Sequence, residues 1–272
     1  EYGYVKERLQ GWEIIHHVFH DAGRVVGVAQ GAMKRLPFLR GGMLWMNRGP
    51  LWRRRDRASD PQHLERLLIA LRDYWTARGV YLRIAPPVTD DAMALHSLRA
   101  LGMEPRPGSA WMSTVVDCTR TEHELYCALE KKWRNCLTRA ERLGLEYGTG
   151  DDSLLFERFV HDYQSFLQEK SYPTPITPAF VHALNDALPL GRKLRMHTAT
   201  SGGLHCGSIL TAEYHGTAEY LVGAVNAVGK RVNAGQFLLW RALGDARTRG
   251  IARFDLGGMH PVQTPRGIYH FK

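Results

Sequence analysis

Apolar residues recur at helical spacing in five stretches of the chain, and each stretch has recognisable helix ends. In the first, Asp60 precedes Pro61, a capping side chain followed by a proline suited to the first helical position, and Gly79 follows the last apolar residue. The second begins with the capping box Thr121–Glu124. The predicted helices run from Asp60 to Gly79, from Thr121 to Gly144, from Asp152 through Phe166, from Thr177 to Gly191 and from Gly235 to Arg249.

Strand-like runs, which are rich in β-branched and aromatic residues or alternate between apolar and polar, fall between these helices. They are Arg24–Met33, Val80–Ala85, Met112–Asp117, Lys193–Thr200, Leu204–Tyr214, Ala218–Ala224 and Ala252–Leu256. Lys34–Arg57 and the proline-rich segment Tyr172–Pro178 are predicted to be irregular. The alternation of helices and strands, without low-complexity linkers, favours an α/β architecture.

One pattern of turns, strands and helices occurs twice. Asp21–Gln30 and Ser201–Leu210 each place a tight turn before a strand, with a second glycine four residues after the first. Ala70–Ile84 and Ala242–Leu256 each read as a helix, a glycine stop and a buried strand. The offset between the copies is about 170 to 180 residues at both places, which indicates an internal duplication.

The repeated order of turn, strand hairpin, helix and strand is that of the GCN5-related N-acyltransferases (GNAT). The chain is therefore predicted to hold two tandem GNAT-like (acyl-CoA N-acyltransferase) domains, each a mixed sheet flanked by helices. The division is placed near residue 112, so that 1–112 forms the first domain and 113–272 the second. The second domain is expected to carry most of the chemistry.

Composition narrows the class of protein further. The chain has 272 residues, a formal net charge of +9 and a pI near 9.5, which attracts polyanions but falls below the charge density of a dedicated DNA-binding protein. No apolar run approaches the roughly 18 residues that span a bilayer, and no charged-then-apolar leader is present. The four cysteines show neither zinc-ligand spacing nor a disulfide framework, so we expect reduced thiols, no metal site and a cytoplasmic protein.

Short motifs occur in one order along nearly the whole chain. They are Tyr2–Lys6, Asn47–Pro50, Val116–Thr119, Lys131–Asn135, Arg139–Gly144, Tyr220–Ala224, Phe254–Gly258 and Gly267–Lys272. Each is weak alone, but in this order they resemble the Fem family of aminoacyl-tRNA-dependent peptidoglycan-bridge aminoacyltransferases. The resemblance implies transfer of an amino acid from its tRNA ester to an amine, without a metal or a covalent intermediate.

The resemblance also implies roles for single residues. Lys272, in the pair Phe271–Lys272, matches the position of a cation that stabilises the oxyanion formed when an amine attacks the ester carbonyl. Lys6 is expected to contact phosphates of the substrate and Tyr220 to line the acceptor site, and Phe271 is counted with the substrate-binding residues. A solvated Lys6, a Tyr220 that only packs in the core and a frayed terminal Lys272 remain open as alternatives.

The family's chains continue past the Phe-Lys pair with a glycine-rich segment, whereas this sequence ends at Lys272. The second unit also lacks the long coiled-coil insertion of the staphylococcal members. Contacts with tRNA are therefore expected on the globular surface.

Two segments are candidates because of their residue types alone. A loop as rich in proline as Tyr172–Pro178 suits substrate binding, so Tyr172 and Thr174 are candidate substrate-binding residues. Arg231–Gln236 resembles a degenerate pyrophosphate loop at a helix start, which makes Arg231 a further candidate. Because this segment lacks a clean pair of glycines, a plain helix N-terminus is the favoured interpretation.

Basic residues cluster at two places. One predicted helix carries Lys131, Lys132, Arg134, Arg139 and Arg142, and one loop carries Arg53, Arg54, Arg55 and Arg57. Such clusters often form solvated surfaces, but Trp133 and Trp52 among them favour RNA. Lys131, Lys132 and Arg134 are the candidate RNA-binding residues. No Ser-His-Asp or Cys-His set is apparent from spacing, and His260 and His270 are expected to be structural.

The predicted function is transfer of an amino acid from aminoacyl-tRNA to an amino group of a peptidoglycan precursor or a related amine. Aminoacyl-tRNA is a co-substrate in this hypothesis, no cofactor is expected, and the partners include the inner membrane surface, approached peripherally, but not DNA. Two alternatives remain open. One is an N-acyltransferase that uses acyl-CoA or an acyl carrier, and the other is a non-catalytic RNA- or precursor-binding module.

Overall fold

A computed structural model describes residues 1–36, 41–53, 60–88, 92–106, 112–170, 174–262 and 264–272. The chain forms two compact units, Glu1–Ala110 (unit 1) and Trp111–Lys272 (unit 2). Each unit is α/β and is built around its own sheet.

Unit 1 is a mixed sheet with helices packed against it. Its elements are α1 (Tyr2–Gln10), β1 (Glu13–Asp21), β2 (Arg24–Arg35), β3 (Gly42–Asn47), α2 (Pro61–Thr76), β4 (Val80–Ala85) and α3 (Ala92–Ala100). The sheet order is β1-β2-β3-β4, in which β4 runs parallel to β3 and the other pairs are antiparallel. The apolar face of α2, with Leu71 and Trp75, packs on Leu44 and Met46 of β3.

Unit 2 repeats this arrangement with an additional strand at each edge. Its strands are β5 (Ser113–Asp117), β6 (Glu146–Gly150), β7 (Arg195–Ser201), β8 (Leu204–Tyr214), β9 (Thr217–Val225) and β10 (Arg253–Gly258). Its helices are α4 (Glu122–Ala128), α5 (Lys131–Arg142), α6 (Ser153–Lys170), α7 (Pro178–Ala187), α8 (Ala227–Arg231), α9 (Ala234–Thr248) and α10 (Arg266–Phe271). The order is β5-β10-β9-β8-β7-β6, and the pair β9–β10 is parallel.

The first half of the repeated pattern is the same bulged hairpin in both units. The turn of β1–β2 has positive φ at Ala22 (45°) and Gly23 (76°), and the turn of β7–β8 has positive φ at Gly202 (55°) and Gly203 (77°). Two successive positive φ values give the turn whose twist matches that of the paired strands. The register shifts at equivalent places, between Phe19 and His20 in one hairpin and between Ala199 and Thr200 in the other.

The second half of the pattern is a helical crossover between parallel strands. Helix α2 connects β3 to β4, and α9 connects β9 to β10. Gly79 and Gly250, with φ of 68° and 76°, follow these helices, in a conformation that side chains disfavour. The predicted α/β class, with two tandem GNAT-like folds, is confirmed.

The predicted single helix from Thr121 to Gly144 is wrong. Helix α4 ends at Ala128, Leu129 and Glu130 are extended with ψ of 145°, and α5 begins at Lys131. The Arg134 guanidinium donates to the carbonyls of Cys127 and Leu129 at 2.8 and 2.7 Å. These bonds satisfy carbonyls that a continuous helix would have paired itself, so the break is tolerated.

The predicted irregular segment Lys34–Arg57 is also wrong in part, because it contains β3. This strand is short and begins directly after glycine, so it shows little alternation, and its pairing with β4 joins residues far apart in sequence. Strands β1 and β6 and helices α1, α3, α8 and α10 were not predicted either. Short elements such as these depend on tertiary packing more than on propensity.

Two helical glycines of unit 2 are expected to respond to alanine in opposite ways. A Cβ at Gly229 in α8 would overlap the backbone carbonyl of Cys206, whereas a Cβ at Gly244 in α9 would have no described residue within 4 Å apart from its chain neighbours and the backbone of its own helix. Overpacking costs roughly 1–3 kcal/mol, while replacing a helical glycine by alanine gains about 1 kcal/mol. Gly229→Ala should therefore lower the melting temperature and Gly244→Ala should raise it. Equal thermal unfolding curves for the two variants would contradict this packing.

Candidate active site

The two parallel strands of unit 2 part at a defined position. Their paired register runs from Arg253 opposite Thr217 to Asp255 opposite Glu219. On the other side of β9, the register with β8 shifts between Leu210 and Thr211, so that β9 bulges just after Tyr220. The pairing of β9 with β10 therefore ends at Glu219, and the unpaired region beyond it is called the wedge, with Tyr220 at its start.

Lys272 lies at this wedge. Its backbone N–H donates to the carbonyl of Ile268 at 3.1 Å, which holds it to the last turn of α10. Its ammonium donates to the Gly258 carbonyl at the end of β10 at 3.2 Å, and Nζ lies 4.9 Å from the centre of the Tyr220 ring. The predicted catalytic cation thus lies between Tyr220 of β9, the last residue of β10 and the end of α10.

The surroundings of Lys272 change its acidity. Burial lowers the pKa of its ammonium to about 8, against the opposing effect of the carboxylates of Asp255 and Glu219. The group is mostly charged at neutral pH and loses its proton in mildly alkaline solution. Such a group can supply a positive charge to a developing oxyanion near pH 7.

Asp255 and Gly257 shape the end of β10 around the ammonium. The buried Asp255 carboxylate accepts from the Gly257 N–H at 2.8 Å and from the Ser113 hydroxyl at 3.3 Å. Gly257 has a φ of 72°, and a Cβ there would lie 2.8 Å from the Tyr220 carbonyl oxygen and 3.2 Å from Lys272 Nζ. Glycine is required both by the backbone conformation and by this close approach.

Tyr220 is the aromatic floor of the site. Burial raises the pKa of its phenol, and the nearby Tyr163 adds to the rise, so the hydroxyl stays neutral at physiological pH. Its oxygen would lie 2.6 Å from a Cβ at Gly223, so glycine at that position makes room for it. The ring also presents its face to the Lys272 ammonium, an arrangement that stabilises a partly desolvated cation.

Phe271 anchors the segment that carries Lys272. Its backbone carbonyl accepts from the indole N–H of Trp133 in α5 at 2.8 Å. Its ring packs against Gly235 in the first turn of α9, where a Cβ would lie 3.1 Å from Cε2. Helices α5 and α9 therefore both hold the backbone next to the ammonium.

The three candidate RNA-binding residues differ in their surroundings. Lys131 and Lys132 are exposed in the first turn of α5. Arg134 is half-buried, and its guanidinium stabilises the end of α4 by hydrogen bonds to two backbone carbonyls. Of the loop arginines, Arg53 lies 5.3 Å from the Trp52 ring, and Arg54, Arg55 and Arg57 lie outside the described residues.

The remaining candidate substrate-binding residues lie on other elements. Lys6, on α1 of unit 1, lies 4.9 Å from the centre of the Trp12 ring, and burial lowers the pKa of its ammonium. The Thr174 hydroxyl accepts from the Ile176 N–H at 3.2 Å, which closes a local turn before α7. Arg231 is the exposed last residue of α8. Tyr172 lies outside the described residues.

A smaller cavity of about 130 Å³ contains a histidine with two oxygen partners. His205 Nε2 lies 2.9 Å from a carboxylate oxygen of Asp162 and 3.3 Å from the Ser208 hydroxyl. Sequence spacing did not reveal this trio. Because both partners meet the same ring nitrogen, the arrangement differs from a nucleophile relay, in which acid and hydroxyl use the two opposite nitrogens.

Sequence reasoning identified Lys272, Tyr220 and Phe271, which the structure brings into one site, but it missed the residues that hold them. Asp255, Gly257 and Gly258 belong to the motif Phe254–Gly258, to which no residue roles were assigned, and Trp133 was interpreted only as a residue that favours RNA. A signal was available for Trp133, since a partly buried indole N–H usually finds an acceptor. The acceptor itself, a carbonyl of α10, could not be read from the sequence.

Within the described ranges, no group of three or more histidine, cysteine, aspartate or glutamate side chains is placed to hold a metal ion. Of the helices in the same ranges, none is long and apolar enough to cross a membrane.

Comparisons with solved structures show which fold this site belongs to. The structure of FemX superposes with a TM-score of 0.78 at 16% identity, over 99% of this chain and 86% of that one. The C-terminal domain of a putative lysylphosphatidylglycerol synthetase from Agrobacterium fabrum gives 0.58 at 14% identity, over 95% and 74%. L-PGS from Bacillus licheniformis gives 0.57 at 11% identity, over 98% and 74%. At these identities the likeness shows the fold, and the predicted resemblance to the Fem family is confirmed at that level.

Sequence comparison gives the family. A comparison with curated proteins finds no matching sequence. Residues 129–272, slightly more than half of the chain, match the model of the acetyltransferase (GNAT) domain, and this segment contains β8, β9, α9, β10 and Lys272. The chain therefore belongs to the acetyltransferase (GNAT) domain family and is an acyltransferase, as its duplicated pattern predicted.

Proposed function

We propose that this chain transfers an aminoacyl group from aminoacyl-tRNA to an amine and forms an amide. The observation that carries the proposal is the Lys272 ammonium, which lies over Tyr220 at the point where β9 and β10 part. A positive charge at this position suits a reaction in which negative charge develops on a carbonyl oxygen.

The reaction requires two things of the enzyme, the positioning of the amine and a positive charge near the carbonyl oxygen. The aminoacyl ester is already activated, so an uncharged amine held against its carbonyl carbon forms the new C–N bond directly. The tetrahedral intermediate carries an oxyanion, which the Lys272 ammonium stabilises. When the C–O bond of the ester breaks, the proton lost by the amine ends on the ribose oxygen that leaves.

Three observations support an aminoacyl-tRNA donor rather than a thioester. The fold is shared along nearly the whole chain with FemX and with the C-terminal domain of a putative lysylphosphatidylglycerol synthetase. The first turn of α5 presents Lys131 and Lys132 to solvent, where phosphates can reach them. The Phe271 ring packs on Gly235 at the start of α9, where the pyrophosphate of coenzyme A would require free backbone N–H groups.

The acceptor in this proposal is an amine of a peptidoglycan precursor or of a related molecule. Tyr220 and Phe271 would contact it beside the ammonium, and Tyr172, Thr174 and Arg231 are further candidates on unit 2. Lys6 would meet phosphates of such a precursor, as the resemblance to the Fem family implies. The reaction would take place in the cytoplasm, with the enzyme approaching the membrane surface where lipid-linked precursors lie.

The donor is tested by incubating the purified chain with charged tRNAs and, separately, with acyl-CoAs, each together with a panel of amines. Consumption of the ester with amide formation is the expected result. Consumption of the thioester instead would overturn the proposal in favour of an acyl-CoA N-acyltransferase. RNA binding without consumption of either donor would indicate a non-catalytic module.

Removing the ammonium is expected to slow the reaction strongly. Lys272→Ala should lower kcat by roughly 10² or more, as loss of an oxyanion donor does, with a smaller effect on KM. Turnover of charged tRNA by the folded variant measures this. Lys193→Ala, a lysine whose ammonium binds the Asn185 carbonyl away from the wedge, is the matched control. A wild-type rate for Lys272→Ala would contradict the assignment.

The lowered pKa of Lys272 predicts a pH dependence with a definite sign. Because burial disfavours the charged form, the ammonium loses its proton as pH rises through about 8, and kcat should fall there if the charge is what acts. A guanidinium stays charged over this range, so Lys272→Arg should lose the fall near pH 8 whatever its absolute rate. A rate that rises through pH 8 in the wild type would instead indicate that neutral Lys272 accepts a proton.

Trp133 is expected to act as a positioning residue for Lys272. Trp133→Phe keeps an aromatic ring but leaves the Phe271 carbonyl without its 2.8 Å donor, so the ammonium should be held less firmly. We expect kcat to fall about tenfold, since small misplacements of reacting groups are costly. The fall of rate near pH 8 should also move to higher pH, because a looser ammonium is better solvated. Trp45→Phe in unit 1 is the control, and an unchanged pH profile in Trp133→Phe would refute the role.

A further inference from the structure

Unit 2 contains a second concave feature, a cavity of about 330 Å³ between α4, β6 and α9. Its volume lies at the lower end of the range of small-molecule sites. The lining residues that bear on its chemistry are Glu122, Tyr147, Trp240, Arg241, Gly244 and Arg247. None of these side chains takes part in the site around Lys272.

One of the residues that line the cavity is Gly244, in the interior of α9. Gly244 is helical, so its φ does not require glycine, and a helical glycine costs about 1 kcal/mol relative to alanine. Apart from its chain neighbours and the backbone of its own helix, no described residue lies within 4 Å of the position that a Cβ would occupy. Glycine here keeps open a space that any side chain would begin to fill.

Positive charge lines this space. The Arg241 guanidinium is stacked 5.1 Å from the Tyr147 ring centre and has no ion-pair partner among the described residues. Arg247 donates through Nε to the Cys118 carbonyl at 3.3 Å, which leaves its two terminal nitrogens for other acceptors. Asp245 also borders the cavity, but its carboxylate forms ion pairs with Arg195 and Arg249, each at 2.9 Å.

Aromatic surface and one carboxylate complete the lining. Trp240 is only 8% exposed and packs edge-on against Tyr126, and Tyr147 is held by a 2.7 Å hydrogen bond between its hydroxyl and His197 Nδ1, so both walls are rigid. Glu122, exposed in the first turn of α4, adds an acceptor for an N–H donor. A guanidinium plane on which a base can stack, guanidinium groups for phosphate and a carboxylate for an exocyclic amino group are contacts that single-stranded nucleotides use.

We propose that this cavity binds one unstacked nucleotide, with a base that bears an exocyclic amino group, from the single-stranded 3′ end of the donor tRNA. This inference rests on the proposed function and names a contact that the donor makes outside the reaction centre. Its position suits that task. Trp240 and Gly244 lie five and nine residues along α9 from Gly235, which touches Phe271, or about 7 and 13 Å by the helical rise. The last few nucleotides of an RNA strand span such a distance.

Direct binding tests the proposal without any need for catalysis. The probes are the trinucleotide CCA and its analogue UUU, titrated into the whole chain by calorimetry at fixed ionic strength. We expect CCA to bind more tightly than UUU, because uracil has a carbonyl where cytosine offers an amino group to Glu122. Equal affinities, or no binding of CCA, would overturn the proposal.

Two variants locate the binding. Gly244→Leu places a side chain in the cavity, and Arg241→Gln removes the guanidinium but keeps most of the side chain. Each should weaken CCA binding at least tenfold, whereas Arg192→Gln, an exposed arginine that does not line the cavity, should bind like the wild type. Wild-type affinity in folded Gly244→Leu and Arg241→Gln would overturn the site. Since Arg241→Gln adds no volume, it keeps the test valid if Gly244→Leu folds poorly.

A turnover measurement separates this inference from the proposed function. If charged tRNA is the donor, kcat/KM for it should fall roughly tenfold in Gly244→Leu. If the wild type consumes charged tRNA and both cavity variants match it in CCA affinity and in kcat/KM, the cavity assignment fails and the function stands. If the wild type does not consume charged tRNA but CCA binding depends on Gly244 and Arg241, the function fails and the nucleotide site stands.

Discussion

Parallel strands β9 and β10 are paired up to Glu219 and Asp255, and the candidate site depends on what occupies the wedge beyond that point. Backbone carbonyls exposed by parting strands need donors. Helix α10 supplies one by placing the Lys272 ammonium on the Gly258 carbonyl and over Tyr220. The hydrogen bond from Lys272 to the Gly258 carbonyl therefore also places a positive charge beside the region where an acyl carbonyl can bind.

The pKa of Lys272 results from two opposing effects, burial and the nearby carboxylates. Burial alone would favour a neutral amine, and the opposing effect of Asp255 and Glu219 leaves the pKa of Lys272 near 8. A more deeply buried lysine would lose its charge at neutral pH, and a solvated one would be screened by water. Partial burial keeps the ammonium charged at neutral pH and shields it from water, so that its electrostatic attraction for an oxyanion is not screened.

A helix as short as α10 cannot hold Lys272 by its own propensity, and it has no side-chain cap at its start. Its anchors come from elsewhere in unit 2, through the Trp133 indole on the Phe271 carbonyl and through the Phe271 ring on Gly235. Trp133 lies one residue after the exposed Lys132, so the basic face of α5 and the site share one rigid helix. The cavity proposed to bind a nucleotide lies further along α9, the other helix that anchors Phe271.

The sequence by itself determined the fold class and the duplication, because turn glycines and helix ends are local features. The resemblance of its short motifs to the Fem family pointed to Lys272, Tyr220 and Phe271. It did not reveal the break between α4 and α5, since apolar spacing continues across Leu129. Only the tertiary structure decided the lowered pKa of Lys272, the bond that spans 138 residues from Trp133 to Phe271, and the open space beside Gly244. Each of these arises from burial and contact between segments distant in the chain, and no local pattern records such proximity.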